Sequence, residues 1–152
     1  MKPLLFFFFL IWSFPAHAFE LKITSKSGEI IDSYGSERLK SFGTKVIETS
    51  TPWTSGLQVF NGVPATVLLD EVAPNSEIIT AAALNDYIIE VPVEILRRTG
   101  AIVAFELNGE SMLPITKGPF WIIFDFDDLP LEQHTEIRRY SVWHLSELQI
   151  DE

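Results

Sequence analysis

Three aromatic residues beside predicted turns are the part of this sequence best suited to chemistry with a small molecule. Trp53, Tyr87 and Trp121 each fall near a predicted strand end, and aromatic faces stack on planar heterocycles. A carboxylate can accept two hydrogen bonds from an amino-pyrimidinone edge, and a cationic side chain can hold carbonyl oxygens. Polar side chains at comparable strand ends are Asn85, Asp86, Lys117, Arg138 and Arg139. The pattern predicts a concave binding site for a planar molecule.

The same aromatic residues also have a purely structural explanation. Trp53 follows Pro52 in a run of small polar residues, which is typical of a strand end. A core tryptophan accounts for this position as well, because Trp is mostly buried wherever it falls. An interaction module whose aromatic residues belong to the core therefore stays open as an alternative.

Metal and nucleophilic chemistry find little support in the sequence. Beyond residue 18 the histidines are His134 and His144, and their spacing does not suit one helical face. The chain has no cysteine, which removes thiolate nucleophiles, thiolate metal ligands and iron–sulfur ligation. No serine lies in a nucleophile elbow, and no Gly-rich phosphate loop is present. The acidic run Asp125, Asp127 and Asp128 lacks the glycine and distal glutamate of a calcium loop, so it is interpreted as a solvated loop.

Short strands and helices must position the aromatic residues. Alternating or continuous apolar runs predict strands, and Ser, Pro or Gly at the ends of other runs predicts helices. The predicted strands are 19–24, 29–33, 45–51, 58–63, 77–84, 87–91, 101–107 and 120–124. The predicted helices are 36–43, 64–73 and 92–99, with 135–141 a turn or helix and the state of 142–150 left open. Strand residues outnumber helix residues, which predicts one β-rich α+β domain over residues 19–152.

Two closely spaced turns mark the segment 108–124 as the rim of the predicted site. Asn108-Gly109 favours a tight turn because both residues tolerate positive φ, and Lys117-Gly118-Pro119 cannot continue a regular strand ladder. The backbone must leave the sheet there and expose polar groups. We therefore expect this segment to form one wall of a cavity.

The N-terminal residues predict export. Lys2 precedes an unbroken apolar run, and Ala16-His17-Ala18 is a small-x-small cleavage site, so residues 1–18 are interpreted as a signal peptide cleaved after Ala18. The apolar run is too short for a membrane anchor. The residues before the apolar run contain no Arg-Arg pair, which indicates the general secretion route into the periplasm. That route passes unfolded chains, so no cofactor would be loaded before export.

The composition narrows the class of partner. The formal net charge is −10 at pH 7, and such an acidic surface repels nucleic acid and anionic lipid. Without cysteine, an exported domain must rest on its apolar core and not on disulfides. Nucleic acid and anionic lipid are therefore not expected as partners.

Several short motifs occur in an order that resembles the molybdopterin-binding domain of the sulfite oxidase family. The motifs are FNGVP at 60–64, ALNDY at 83–87 before VP at 91–92, NGE at 108–110, LP at 113–114, KGP at 117–119 and SVWHL at 141–145. The resemblance extends over about residues 49–150. It implies a mixed-sheet, barrel-like α+β fold with short helices between the strands.

The missing cysteine separates this chain from the enzymes of that family. Their molybdenum is held by a pterin dithiolene and one protein thiolate, and this chain supplies no thiolate. The segments 51–54 and 117–119 more closely resemble small exported regulators with the same fold. That resemblance implies a non-enzymatic protein that binds a reduced, tetrahydropterin-like molecule without metal. It also implies a signalling partner, the periplasmic part of a membrane-bound enzyme that makes or degrades cyclic di-GMP.

In this interpretation Trp53 stacks on the pterin, Tyr87 or Trp121 closes the other face, and Asp86 pairs with the amino-pyrimidinone edge. The candidate pterin-binding residues are Trp53, Thr54, Asn85, Asp86, Tyr87, Lys117, Gly118, Trp121, Arg138 and Arg139. The alternative is a molybdopterin-dependent oxidoreductase subunit of the sulfite oxidase family with an unusual ligand set.

Overall fold

The computed structural model describes residues 19–150, so the predicted signal peptide and its cleavage site lie outside the described residues. The strands are β1 Glu20–Ser25, β2 Ile30–Gly35, β3 Lys45–Ser50, β4 Leu57–Pro64, β5 Ile78–Ala83, β6 Ile88–Pro92, β7 Ile102–Leu107, β8 Glu110–Ser111, β9 Trp121–Ile123 and β10 Leu145–Ile150. The helices are α1 Ser36–Lys40, α2 Ala65–Val72, α3 Val93–Thr99 and α4 His134–Tyr140, with single 3₁₀ turns at Pro114–Thr116 and Leu131–Gln133. The predicted β-rich α+β class is confirmed.

The strands form two separate sheets. Sheet A has the order β2-β1-β10-β5-β6, in which β1 and β10 are parallel and the other neighbours are antiparallel. Sheet B has the order β3-β4-β7-β8, with β9 also paired to β7, and all of these pairs are antiparallel. The predicted barrel is wrong: across residues 19–150 a single bridge between Phe120 and Leu145 joins the two sheets, whose edge strands are β2 and β6 in sheet A and β3 and β8 in sheet B.

Proline and glycine residues explain where α2 and α3 begin and where α3 ends. Pro64 and Pro92 each occupy the position before the first helical residue, where a missing backbone N–H costs nothing. Gly100 ends α3 in the left-handed region with φ 62°, a conformation that glycine adopts without strain. The 142–150 segment, left open from sequence, forms strand β10 from Leu145 onward.

Apolar residues cover both faces of sheet B, because successive side chains on a strand point to opposite faces. Val103 and Phe105 of β7 face the main core, which also holds the inner face of sheet A and the apolar sides of α2 and α3. Ile102 and Ala104 of the same strand face a smaller second core. The second core contains Ile47, Phe60, Ile102, Ala104, Met112, Trp121 and Ile123.

Close contact between β4 and β7 requires a glycine at one position. The register of this pair shifts between Asn61 and Gly62, and a Cβ added at Gly62 would lie 2.6 Å from the Ala104 Cα. No side chain fits there without movement of the backbone. Among residues 19–150, no helix combines the length and apolar character that a membrane crossing requires.

Candidate functional site

A cavity of about 260 Å³ opens beside the second core, at the place where four separate parts of the chain meet. These parts are the loop after β3, the turn between β5 and β6, helix α4, and the segment that joins α4 to β10. We call it the aromatic cavity. Its lining residues are Trp53, Asn85, Tyr87, Arg138, Ser141, Val142 and Trp143.

The loop after β3 presents Trp53 through local hydrogen bonds. The Thr51 hydroxyl accepts a hydrogen bond from the Trp53 backbone N–H at 3.2 Å and bonds to the Thr54 hydroxyl at 2.7 Å. Such threonine-centred turns fix the direction of the chain without regular structure. The Trp53 ring packs edge-on against Trp121 and Phe126, each with ring centroids 5.9 Å apart. Trp53 is therefore held on one side by the core and is half-buried, so part of its ring borders the cavity.

The turn between β5 and β6 contributes Asn85 and Tyr87. Asp86, between them, has φ 64°, a left-handed conformation that Asp and Asn adopt more readily than most residues. This turn places both neighbours in the lining and leaves Asp86 exposed outside it. The Tyr87 hydroxyl donates a hydrogen bond to the Arg139 carbonyl at 2.9 Å, which ties the turn to α4.

His144 fixes the third wall. Its φ of 55° turns the chain sharply after Trp143, and its carbonyl accepts a hydrogen bond from the Leu84 N–H at 2.9 Å. Its backbone N–H donates to the Lys117 carbonyl at 2.8 Å, and its Nδ1 lies 2.6 Å from the Gly118 carbonyl oxygen. The Lys117 Nζ lies 4.7 Å from the centroid of the Trp143 ring, within range of a cation–π contact. The 117–118 turn therefore supports Trp143.

Ser141 joins the cavity wall to the core. The buried Ser141 Oγ accepts a hydrogen bond from Trp121 Nε1–H at 3.0 Å and donates one to the Ile122 carbonyl at 2.9 Å. Trp121 is completely buried and packs edge-on against Phe60, with ring centroids 5.4 Å apart. The expectation that Trp121 closes one face of a ligand is therefore corrected: its ring lies one layer below the cavity and is unavailable for stacking.

Four of the ten candidate residues meet at the aromatic cavity: Trp53, Asn85, Tyr87 and Arg138. Six do not line it: Thr54, Asp86, Lys117, Gly118, Trp121 and Arg139. Asp86 is exposed at the tip of the turn and does not line the cavity, whereas its neighbour Asn85, which carries an amide in place of a carboxylate, does. Contact between any of these residues and a ligand stays a prediction.

Sequence reasoning missed Ser141, Val142 and Trp143 as lining residues. All three belong to the SVWHL motif, which served as a marker of fold and not of the site. The sequence could have indicated Trp143 as a lining residue, because Trp143 lies between two predicted elements, as Trp53 does.

Several cationic side chains that the structure describes have an acidic or carbonyl oxygen as partner. Arg38 binds both oxygens of Asp32, and this hydrogen bonding holds the pKa of the Asp32 carboxyl well below its usual range. Lys40 pairs with Glu106 at 3.0 Å, and Arg97 pairs with Asp70. Within residues 19–150, Arg138 forms no ion pair or hydrogen bond through its side chain.

The thiolate-bound molybdenum that the fold resemblance implies does not fit the residues of this chain. The sequence supplies no cysteine, and no group of three or more His, Asp or Glu side chains in residues 19–150 could hold a metal ion. The lining includes the Asn85 amide, the Tyr87 hydroxyl and the Arg138 guanidinium, which are hydrogen-bonding groups for an organic ligand, whereas the Ser141 hydroxyl is already bonded to Trp121 and Ile122.

Comparison with known proteins supports the fold alone. No protein-family model and no curated protein sequence matches this chain. A solved structure that is similar is the sulfane dehydrogenase SoxCD from Paracoccus pantotrophus, with a TM-score of 0.56 and 18% sequence identity. The match covers 86% of this chain but only 37% of that chain, so this protein spans about a third of its structural neighbour. The chain therefore has a fold like that of SoxCD over the matched region, which supports, distantly, the sulfite oxidase-like fold that the sequence motifs resemble.

Proposed function

We propose that this protein binds a reduced pterin, without metal, in the aromatic cavity. The observation that carries the proposal is the convergence of Trp53, Tyr87 and Trp143 with the polar groups of Asn85 and Arg138 around one opening. Aromatic faces favour a planar ring system, and a few convergent polar groups orient it.

The size of the cavity favours a compact ligand. Its volume of about 260 Å³ lies just below the ~300–1,000 Å³ typical of small-molecule sites. A bicyclic heterocycle with a short substituent suits this volume, whereas a dinucleotide is too large. The proposal therefore concerns a free pterin and not an extended cofactor.

The polar groups suit the edge of a pterin ring. The Asn85 side chain offers two donors and one acceptor oxygen, so it can pair with both the amino and carbonyl parts of an amino-pyrimidinone. In this proposal Asn85 takes the role that the sequence first suggested for Asp86. Trp53 supplies one stacking face, and Tyr87 or Trp143 supplies the other.

The proposed role is regulatory and not catalytic. The sequence motivates this in two ways: it has no cysteine for the thiolate ligand, and its N-terminus predicts export by general secretion. We propose that the protein acts in the periplasm and reports its ligand to the periplasmic part of a membrane-bound enzyme that makes or degrades cyclic di-GMP. Deleting the protein should change the cellular cyclic di-GMP level, and a Trp53→Ala allele should behave as the ligand-free form. An unchanged level in the deletion strain would contradict this role.

Ligand binding can be tested by calorimetric titration with tetrahydrobiopterin under anaerobic conditions. Trp53→Ala should weaken binding at least about fivefold, because stacking on one aromatic ring contributes about 1–3 kcal/mol. Trp53→Phe keeps an aromatic face and should retain most of the affinity. Leu57→Ala is the control, because Leu57 is exposed and lies outside the lining.

Two results would reject the proposal. Wild-type protein that binds no reduced pterin contradicts the function, and binding that Trp53→Ala leaves unchanged contradicts the site. A molybdenum-dependent oxidoreductase is the second candidate, favoured by the similarity in fold to SoxCD. Stoichiometric molybdenum in protein taken from its native compartment would support that candidate instead.

A further inference from the structure

Arg138 is the charged residue in the lining of the aromatic cavity. Its side chain is exposed, so the guanidinium lies at the rim and not on the floor. It has no ion-pair partner among the residues that the structure describes, although the protein carries a net charge of −10. The rim therefore presents an unpaired cation on an otherwise acidic molecule.

The helix dipole of α4 offers a simpler explanation for an arginine at position 138. Arg138 and Arg139 both lie in the last turn of this helix, where cations interact favourably with the helix dipole. That effect accounts equally for both residues, yet only Arg138 lines the cavity. The helix dipole alone therefore does not explain why an arginine lies at the opening of the cavity. Arg139, on the same helix turn, is a matched control for Arg138.

The chemistry of a guanidinium identifies what would bind there. Its planar array of N–H donors matches a carboxylate or phosphate in a bidentate arrangement. The remaining lining groups are neutral, so no carboxylate in the lining competes for the guanidinium. Asp86 lies between the lining residues Asn85 and Tyr87 in the sequence. It forms no ion pair with Arg138.

We propose that the ligand of the aromatic cavity carries an anionic substituent, a phosphate or a carboxylate, which Arg138 holds at the rim while the ring lies deeper among the aromatic residues. This inference rests on the proposed pterin binding and specifies which members of that class are preferred. A cavity of about 260 Å³ accommodates the ring, and the exposed guanidinium meets a substituent that projects from the opening.

The test compares three probes by calorimetry: dihydroneopterin, which is neutral, dihydroneopterin monophosphate, and 7,8-dihydropterin-6-carboxylate, which carries one carboxylate on a short substituent. At low salt the wild type should bind at least one anionic probe about tenfold more tightly than dihydroneopterin, the effect of a charge-assisted hydrogen bond. The preferred anionic probe identifies phosphate or carboxylate as the group recognised. Raising the salt concentration should reduce this preference, because the guanidinium is exposed.

The matched variants are Arg138→Gln and Arg139→Gln. Arg138→Gln should abolish the preference for the anionic probe, so that affinity for this probe falls about tenfold more than affinity for dihydroneopterin, whereas Arg139→Gln should keep the preference. Both variants should lower the unfolding temperature only slightly and by the same amount, because each removes one favourable charge from the end of α4 and neither side chain makes a hydrogen bond or ion pair within residues 19–150.

The outcomes separate this inference from the proposed function. Equal affinity of the wild type for neutral and anionic probes overturns the inference and leaves pterin binding intact. Equal weakening of all probes by Arg138→Gln also overturns it, because the residue would then act on the ring or on the cavity shape. Failure of every probe to bind overturns both proposals.

Discussion

Replacing Ser141 by alanine should reveal how strongly the cavity wall supports the core. The variant removes the acceptor of the Trp121 indole N–H and the donor to the Ile122 carbonyl. Trp121 is fully buried and Ser141 is only 3% exposed, so neither orphaned group gains a protein partner. The two lost hydrogen bonds join residues from β9 and from the segment before β10.

The expected loss of stability follows from these two bonds. An unsatisfied buried donor costs about 1–3 kcal/mol, and the loss of a further hydrogen bond to a carbonyl adds about 1 kcal/mol. We therefore expect Ser141→Ala to reduce the free energy of unfolding by about 2–4 kcal/mol. With a urea m-value of about 2 kcal/mol/M, the middle of the range for small proteins, the unfolding midpoint should fall by roughly 1–2 M urea.

Urea unfolding followed by far-UV circular dichroism measures this change. Ser111→Ala is the matched control, because Ser111 is exposed in β8, and its effect should stay within about 0.5 kcal/mol. In a Trp121→Phe background the indole donor is gone, so Ser141→Ala should cost only about 1 kcal/mol. The difference between the two backgrounds isolates the Trp121–Ser141 interaction.

A change no larger than that of Ser111→Ala would refute the reasoning. It would mean that water entering from the aromatic cavity satisfies the indole N–H once the hydroxyl is removed. The cavity would then reach Trp121, contrary to the complete burial of that ring.

Two further predictions concern the parts of the fold around the cavity. Gly62→Ala should reduce the free energy of unfolding by about 3 kcal/mol, because its Cβ would collide with the backbone of β7; Gly35→Ala, whose Cβ meets no atom closer than 4.0 Å, should change it by less than about 1 kcal/mol in the same urea assay. Hydrogen bonding from Asn61 and Lys40 lowers the pKa of Glu106 in the folded state, so its contribution to stability is present at neutral pH and is lost as the pH falls below about 4.5. Glu106→Gln should therefore show a weaker decline in melting temperature between pH 6 and pH 3 than the wild type, and an identical decline would contradict the assigned cause.

The positions of the strands and helices could largely be predicted from the sequence, because they depend on local patterns of apolar residues, proline and glycine. Pro92 before α3 and Gly100 after it predict the helix 92–99 to within one residue of its observed bounds. The arrangement of the strands into two sheets could not be predicted from such local patterns. Whether β9 and β10 close a barrel depends on contacts between distant segments, and a single bridge between Phe120 and Leu145 leaves two sheets.

The site was predicted in part, and the errors share one cause. Trp121 and Trp53 both lie near strand ends, but only the pairing of β9 with β7 shows that Trp121 faces the second core. Asn85 and Asp86 are neighbours at one turn, and the left-handed φ of Asp86 decides which of them lines the cavity. Proximity to a turn predicts that a residue lies near the surface, but it does not predict the direction of the side chain.

The 117–118 turn was predicted to contact the ligand, but it does not line the cavity and instead supports one of its walls. The Lys117 and Gly118 carbonyls both bind His144, while the Lys117 ammonium covers Trp143 from outside the cavity. The His144 carbonyl in turn holds the β5–β6 turn through Leu84. The walls are therefore tied to each other by these contacts, so binding of the proposed ligand would require little ordering and the free energy of stacking would be retained as affinity. Substitutions in the 117–118 turn should consequently act by loosening Trp143, whereas substitutions at Trp53 remove a surface that the ligand itself would contact.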